Sequence, residues 1–166
     1  MDNIDIFYSR TGNKIVVDTN LLLLLLIGAT DKNYIETFKR TSMFTKNDFI
    51  FLFEILKRYD NIITTPNILT EVDNFTKNIK IPNYRNKAIY YFSKWLSCGF
   101  IEEEFIETKI LCNDNCFMYF GLADASIAKI SREKIGVITK DKRLYDELIY
   151  HNIPAINFNS YMEKLR

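Results

Sequence analysis

The stretch from Lys14 to Ala29, KIVVDTNLLLLLLIGA, constrains the fold more than any other part of the chain. Lys14 to Val17 is a short β-branched run, continuous rather than alternating, as a central parallel strand buried on both faces should be. Asp18, Thr19 and Asn20 then cap a helix expected to run through six consecutive leucines, Leu21 to Leu26, to about Gly28. The apolar run from Leu21 to Ala29 is nine residues, with Asp18 and Asn20 before it and Asp31 and Lys32 after it. A membrane span needs about 20. The leucines therefore read as a helix packed on a sheet.

The rest of the chain continues the alternation of strand and helix. Residues 1–13 read as a hairpin-like or irregular lead-in that turns at Thr11-Gly12-Asn13. A helical stretch follows from Lys32 to Arg40, and Thr45 with Asp48 forms a capping-box-like start for a helix reaching Tyr59. Phe49, Ile50, Phe51, Leu52, Phe53, Ile55 and Leu56 are too many apolar residues for one narrow stripe. That helix is either sandwiched within the fold or offers a face to a partner, an inhibitor protein or a second copy of the chain.

Ile62 to Thr64 is the second strand, and Pro66 opens the helix Ile68–Asn78 at a position where its missing N–H does no harm. Pro82 breaks the chain before a helix over Tyr84–Ser97, whose Trp95 and tyrosines are expected in the core; Phe100 to Thr108 holds a candidate strand. Leu122–Ser131 is a helix, Val137–Thr139 a strand, Leu144–Tyr150 a helix and Ala155–Phe158 a last strand. This order predicts an α/β fold, a three-layer α/β/α sandwich around a mainly parallel sheet. With 166 residues and neither repeat nor composition break, a single domain spanning 1–166 is expected.

Composition narrows the function classes. A net charge of +1 makes the whole surface no strong attractor of nucleic acid, so any polyanion site must be a local patch. Three cysteines, an odd count, and the lack of a secretory leader favour the reducing cytoplasm. Cys112 and Cys116 lack the second pair or nearby histidine of a zinc site, and His151 reads as a helix-end residue.

Four segments each deliver one acid: Asp18 in KIVVDTN, Glu71 in TTPNILTEV, Asp124 in GLADASIAK and Asp141 in GVITKD. Strand ends and the helix starts near them converge on one edge of a parallel sheet, where ligands bind. Two like charges about 5 Å apart repel by roughly 3 kcal/mol at an effective dielectric near 20, so four gathered carboxylates must take up protons or cations. Carboxylate oxygens suit Mg²⁺ or Mn²⁺.

Strand–Asp-Thr-Asn–helix at Asp18, the helical Asn67–Glu71–Val72, the acid at the start of Leu122–Ser131 and the strand–Thr-x-Asp at Thr139–Asp141 resemble the PIN domain family in order and context. The resemblance covers about Lys14 to Asn157 and is closest to stand-alone bacterial members with a leucine-rich first helix and an Ile-Asn-Phe-like ending. It implies a PIN-like fold and a metal-dependent nuclease cutting single-stranded RNA, with DNA as the other candidate, in the manner of toxin-like or defence nucleases. By that match Asp18, Glu71, Asp124 and Asp141 take the four acidic, metal-binding positions, and Asn20 and Thr139 those that orient the first and last acids. The chain departs from the compact toxin-type members in the 53-residue spacing from Asp18 to Glu71, which carries extra material between Gly28 and Tyr59.

In such a site one ion would activate a water for in-line attack, and a second about 4 Å away would stabilise the departing oxygen. Lys140, Lys142 and Arg143, just after the third strand, would hold the phosphate backbone. Asp73, Asp114 and Asp146 read as surface acids, Asp146 being the one to check for a metal contact.

The same residues admit plainer roles. Asp18 and Asp141 are good N-caps, Glu71 and Asp124 ordinary early-helix acids, and Lys-Asp-Lys-Arg an ordinary solvated turn. Two rival functions follow. A non-catalytic binding or regulatory module would keep the PIN-like shape. A phosphatase of the haloacid dehalogenase type would start from the same strand-then-Asp, but Asn20 stands where its second Asp belongs. The chain has neither G-x-G-x-x-G nor G-x-x-x-x-G-K-[ST], which argues against a nucleotide-binding fold.

Overall fold

The computed structural model describes residues 3–113, 115–131 and 135–165, so Asp114 lies outside the described residues. Five strands, β1 (Lys14–Val17), β2 (Asn61–Thr64), β3 (Ile101–Glu103), β4 (Gly136–Thr139) and β5 (Ala155–Asn157), form one sheet in the order β3-β2-β1-β4-β5. Every pairing is parallel. β1 lies at the centre, and its apolar residues Ile15, Val16 and Val17 are fully buried, as a strand covered on both faces requires.

The leucine run forms α2 (Thr19–Thr30), where all six leucines are buried. It packs against α3 (Lys46–Leu56), α4 (Pro66–Lys77) and α5 (Pro82–Ser97). After β3 come α6 (Thr108–Cys112), α7 (Asn115–Phe120) and α8 (Leu122–Ser131), which pack together, and α9 (Lys142–Tyr150) joins β4 to β5. The chain moves outward from β1 through β2 to β3, then crosses to the other side of β1 for β4 and β5. Right-handed crossovers in opposite directions put the two helix groups on opposite faces, which gives the three-layer α/β/α sandwich. Among the described residues no helix is long and apolar enough to cross a membrane.

The capping box at α3 forms as the spacing predicts: Thr45 Oγ1 accepts from Asp48 N, and Asp48 Oδ2 accepts from Thr45 N at 2.7 Å. α3 is sandwiched. Phe49 packs against α2 at Gly28, where a Cβ would fall inside the Phe49 ring. On the other side Phe51 stacks on Tyr161 of the C-terminal α10 (Phe158–Leu165), with ring centroids 5.1 Å apart. Ile50 and Phe53 stay exposed.

Several local expectations are corrected. The lead-in is a helix, α1 (Asn3–Arg10), because Phe7 is buried in the core and the Arg10 guanidinium donates to the Asn152 carbonyl at 2.9 Å. These partners lie far along the chain. Residues 32–40 are not a helix beyond the 3-10 turn Lys32–Tyr34. Thr37 and Thr41 hydroxyls donate to the carbonyls of Tyr34 and Ile35, offering the backbone an alternative to helical pairing. Pro82 does not precede α5 but sits in its first turn. In α5 only Ala88 is buried; Trp95 is half-buried against Phe100, and Tyr90 is largely exposed. The last strand ends at Asn157, and Phe158 begins α10.

Candidate active site

Asp18 follows the C-terminal end of β1, and Asp141 follows that of β4, two neighbouring strands. Connections leave this pair in opposite directions, so it is the switch point at which open α/β sheets form their crevice. Glu71 stands in the second turn of α4, after β2, and Asp124 is the third residue of α8, which runs back towards the start of β4. A helix preceding a parallel strand begins at the C-terminal edge of the sheet. All four acids thus belong to the same edge.

Each acid is held by a different device. Asp18 is buried and caps α2: Oδ1 accepts from Leu21 N at 2.8 Å. Its Oδ2 accepts from the Thr139 hydroxyl and from Lys140 N, both at 2.7 Å. Burial raises its pKa, and these three donors, with the Lys140 charge, oppose that rise. Thr139 Oγ1 also accepts from Asp141 N at 3.0 Å, so one buried hydroxyl ties the first acid to the backbone of the last.

Asp141 is exposed and caps α9, its Oδ1 accepting from Arg143 N at 2.7 Å and Leu144 N at 3.1 Å. The exposed Glu71 accepts from the Thr19 hydroxyl at 2.8 Å. Asp18 and Asp141 therefore do serve as caps; capping and a site role use the same carboxylates.

Asp124 carries the electrostatic signature of the group. Its carboxyl is pushed up to about 7, first by burial and then by the charges of Asp18, Asp141 and Glu71. Acids separated by tens of residues in sequence thus act on one carboxyl. They do not form a closed chelate: among the described residues no three His, Cys, Asp or Glu side chains converge on a metal-holding position. Like-charged carboxylates gain by standing apart and by taking the amide and hydroxyl donors nearest to each of them. The donor set itself, four carboxylates with neither thiolate nor imidazole, fits a hard divalent cation that takes oxygen ligands.

The other sequence candidates are placed as follows. Thr139 is in the position expected of an orienting residue. Asn20 is not hydrogen-bonded to Asp18 among the described residues; it lines a cleft beyond the acids, and Asp18 is oriented instead by Leu21 N, Thr139 and Lys140 N. The three cations of the basic cluster each have a different partner. The Lys140 ammonium lies over the Phe44 ring and meets the Met43 sulfur, Lys142 pairs with Asp146 at 2.6 Å, and the Arg143 guanidinium lies over Phe120. That ion pair places the Asp146 carboxylate on Lys142 rather than among the four acids.

Three residues not singled out from sequence position the acids. Thr19 holds Glu71. The Ser126 hydroxyl donates to the Ala123 carbonyl at 2.6 Å, which leaves its oxygen to accept from Thr65 Oγ1 at 2.7 Å. This buried clasp joins the start of α4 to the second turn of α8, and so joins the Glu71 helix to the Asp124 helix. Serine and threonine next to a helix start are too common to stand out in a sequence; the signal available was their position within three residues of Asp18, Pro66 and Asp124.

No family profile, no curated protein and no solved structure matches the chain.

Proposed function

We propose that this protein is a divalent-metal-dependent nuclease of PIN type that hydrolyses single-stranded RNA at the edge carrying Asp18, Glu71, Asp124 and Asp141. The observation that carries the reading is Asp124: its carboxyl is pushed up to about 7, and after burial the causes are the three other acids of the set. Negative charge concentrated at a sheet switch point calls for a cation, and a phosphodiester is the substrate that such a cation and an apical edge of this kind serve.

Mg²⁺ or Mn²⁺, when bound, neutralises phosphate charge and makes a water more acidic. The protein's part is to prepare for that. Asp18, fixed by Leu21 N, Thr139 and Lys140 N, presents a carboxylate that cannot swing away. Asp124, whose carboxyl is pushed up to about 7, would have to release its proton to serve as a ligand, so metal affinity would rise with pH through neutrality. Glu71 on α4 and Asp141 at the start of α9, both exposed, would supply further carboxylate oxygens to such an ion. The reaction would be in-line attack of water on phosphorus with departure of one ester oxygen, which takes up the proton that the water loses.

The test is cleavage of single-stranded RNA and DNA with Mn²⁺ and with chelator, comparing wild type with Asp18→Asn and Asp124→Asn. RNA cleavage that needs the metal and is lost in both variants is expected. Cutting that persists in chelator, or in both variants, overturns the metal mechanism, and a wild type that cuts neither polymer leaves a non-catalytic module of the same shape.

A further inference from the structure

Beyond the four acids lies a cleft of about 1040 Å³ whose wall includes Asn20, two residues after Asp18, and Met43, whose sulfur meets the Lys140 ammonium. Lys140 N is in turn a donor to Asp18. The cleft is therefore tied to the acidic edge through Asn20 and through Met43. Much of it is built by residues 31–45, the additional material between the leucine helix and α3; Asn20 of α2, the turn between α4 and α5, and Tyr84 of α5 complete it. Buried Ile35, Phe38 and Phe44 anchor the segment, and the buried Thr41 hydroxyl donates to the Ile35 carbonyl at 2.8 Å.

The chemistry of the wall is one-sided. Its charged side chains are Lys39, Arg40 and Lys80, and no carboxylate among the described residues lines it. On a chain with a net charge of only +1, three cations around one concavity are the local patch that a polyanion needs. Lys39 and Lys80 are exposed and have no ion-pair partner among the described residues, while the Arg40 guanidinium lies over Phe75. Aromatic and apolar groups share the wall with these cations. Tyr84 packs against Tyr34 with ring centroids 4.4 Å apart, held by its hydroxyl donating to Asp31 at 3.0 Å, and exposed Ile81 stands beside it. Cations sharing one cleft with aromatic and apolar faces are what single-stranded nucleic acid binds without sequence readout.

We infer that this cleft binds the stretch of single-stranded polynucleotide that flanks the cut, with Lys39, Arg40 and Lys80 at phosphates and Tyr84 and Ile81 against a base. That the bound stretch flanks a cut rests on the nuclease reading; that the cleft binds a polynucleotide does not. The inference also assigns a role to Asn20, which faces the strand rather than Asp18.

The experiment is fluorescence anisotropy of a labelled oligouridylate in chelator, where nothing is cut, across a range of salt. Each phosphate contact contributes about 0.7 to the salt slope of single-strand binding, so Lys39→Ala/Arg40→Gln/Lys80→Ala should lower the slope by about 2 and weaken binding at least roughly tenfold. Because Arg40 stacks on Phe75, Lys39→Ala/Lys80→Ala is run beside it, with an expected drop in slope of about 1.4 and an unchanged unfolding temperature. Ile81→Ala weakens binding without altering the slope. An unchanged slope in both charge variants overturns the assignment of the cleft, and leaves the cleavage assay to judge the nuclease reading alone. Polyglutamate displacing the oligonucleotide at equal charge overturns polynucleotide as the occupant. Loss of binding in the charge variants of a protein that never cuts sustains the cleft and removes the nuclease.

Discussion

The Thr139 hydroxyl donates a 2.7 Å hydrogen bond to Asp18 Oδ2 across the paired ends of β1 and β4. The two residues are 121 positions apart, and both are buried. This contact sets the geometry of the acidic edge, since the same oxygen on Thr139 accepts from Asp141 N. Thr139→Val keeps the shape and β-branching but removes both bonds. It should cost about 1–3 kcal/mol in denaturant unfolding, the usual loss for a buried acceptor deprived of its donor, and Thr139→Ser should recover most of it. On the proposed function, metal-dependent cleavage falls with the valine and returns with the serine.

Asp124 predicts a pH dependence of stability in metal-free protein. Its carboxyl is ordinarily near 4 and is pushed up to about 7 in the fold. Between those values the folded state holds a proton that the unfolded chain has released, so stability decreases as pH rises through that window. Buried Asp18, also raised, acts in the same direction. In chelator the wild type should lose stability from about pH 4 to about pH 7, and Asp124→Asn should remove a part on the order of 2 kcal/mol, discounted for the partial exposure of the side chain. Urea unfolding at several pH values measures both curves.

The same group predicts how divalent metal acts. At pH 8, Mn²⁺ should raise the unfolding temperature of wild type by binding only the folded state, and the rise should shrink as pH falls below 7, where protons compete for Asp124. Asp124→Asn should show little response. Calorimetry that finds equal Mn²⁺ stabilisation in both proteins would remove Asp124 from the ligand set.

The Thr65–Ser126 clasp predicts a non-additive pair. Ser126→Ala strands the Thr65 hydroxyl, which is fully buried, and should cost about 1–3 kcal/mol. Adding Thr65→Val removes the stranded group, so the double variant should be no less stable than Ser126→Ala alone. A double-mutant cycle from denaturant unfolding supplies the coupling.

Gly28 predicts an overpacking cost. A Cβ there would enter the Phe49 ring, so Gly28→Ala should destabilise by about 1–3 kcal/mol despite alanine's better helix propensity. Phe49→Leu in the same chain should recover part of the loss, as read from thermal unfolding.

What could be read from the chain alone was whatever depends on neighbours in sequence. β1 follows from an unbroken β-branched run, α2 from an apolar stretch too short for a membrane, and α3 from a Thr45–Asp48 capping box that forms as expected. The four acids were legible for the same reason: each follows a strand or stands in the first two turns of a helix, and parallel topology carries such positions to one edge. What depends on distant partners was not. α1 exists because Phe7 finds the core and Arg10 finds Asn152, and residues 32–40 fail as a helix because their threonine hydroxyls capture nearby carbonyls while Ile35 and Phe38 are drawn inward. Only the tertiary structure decided that Thr139 rather than Asn20 orients Asp18, that Lys140, Lys142 and Arg143 take three different partners, and that the Asp124 carboxyl is pushed up to about 7. Hydrogen-bond partners and local fields depend on separations in space of a few ångströms, and residues 121 positions apart acquire such a separation only when the sheet has closed between them.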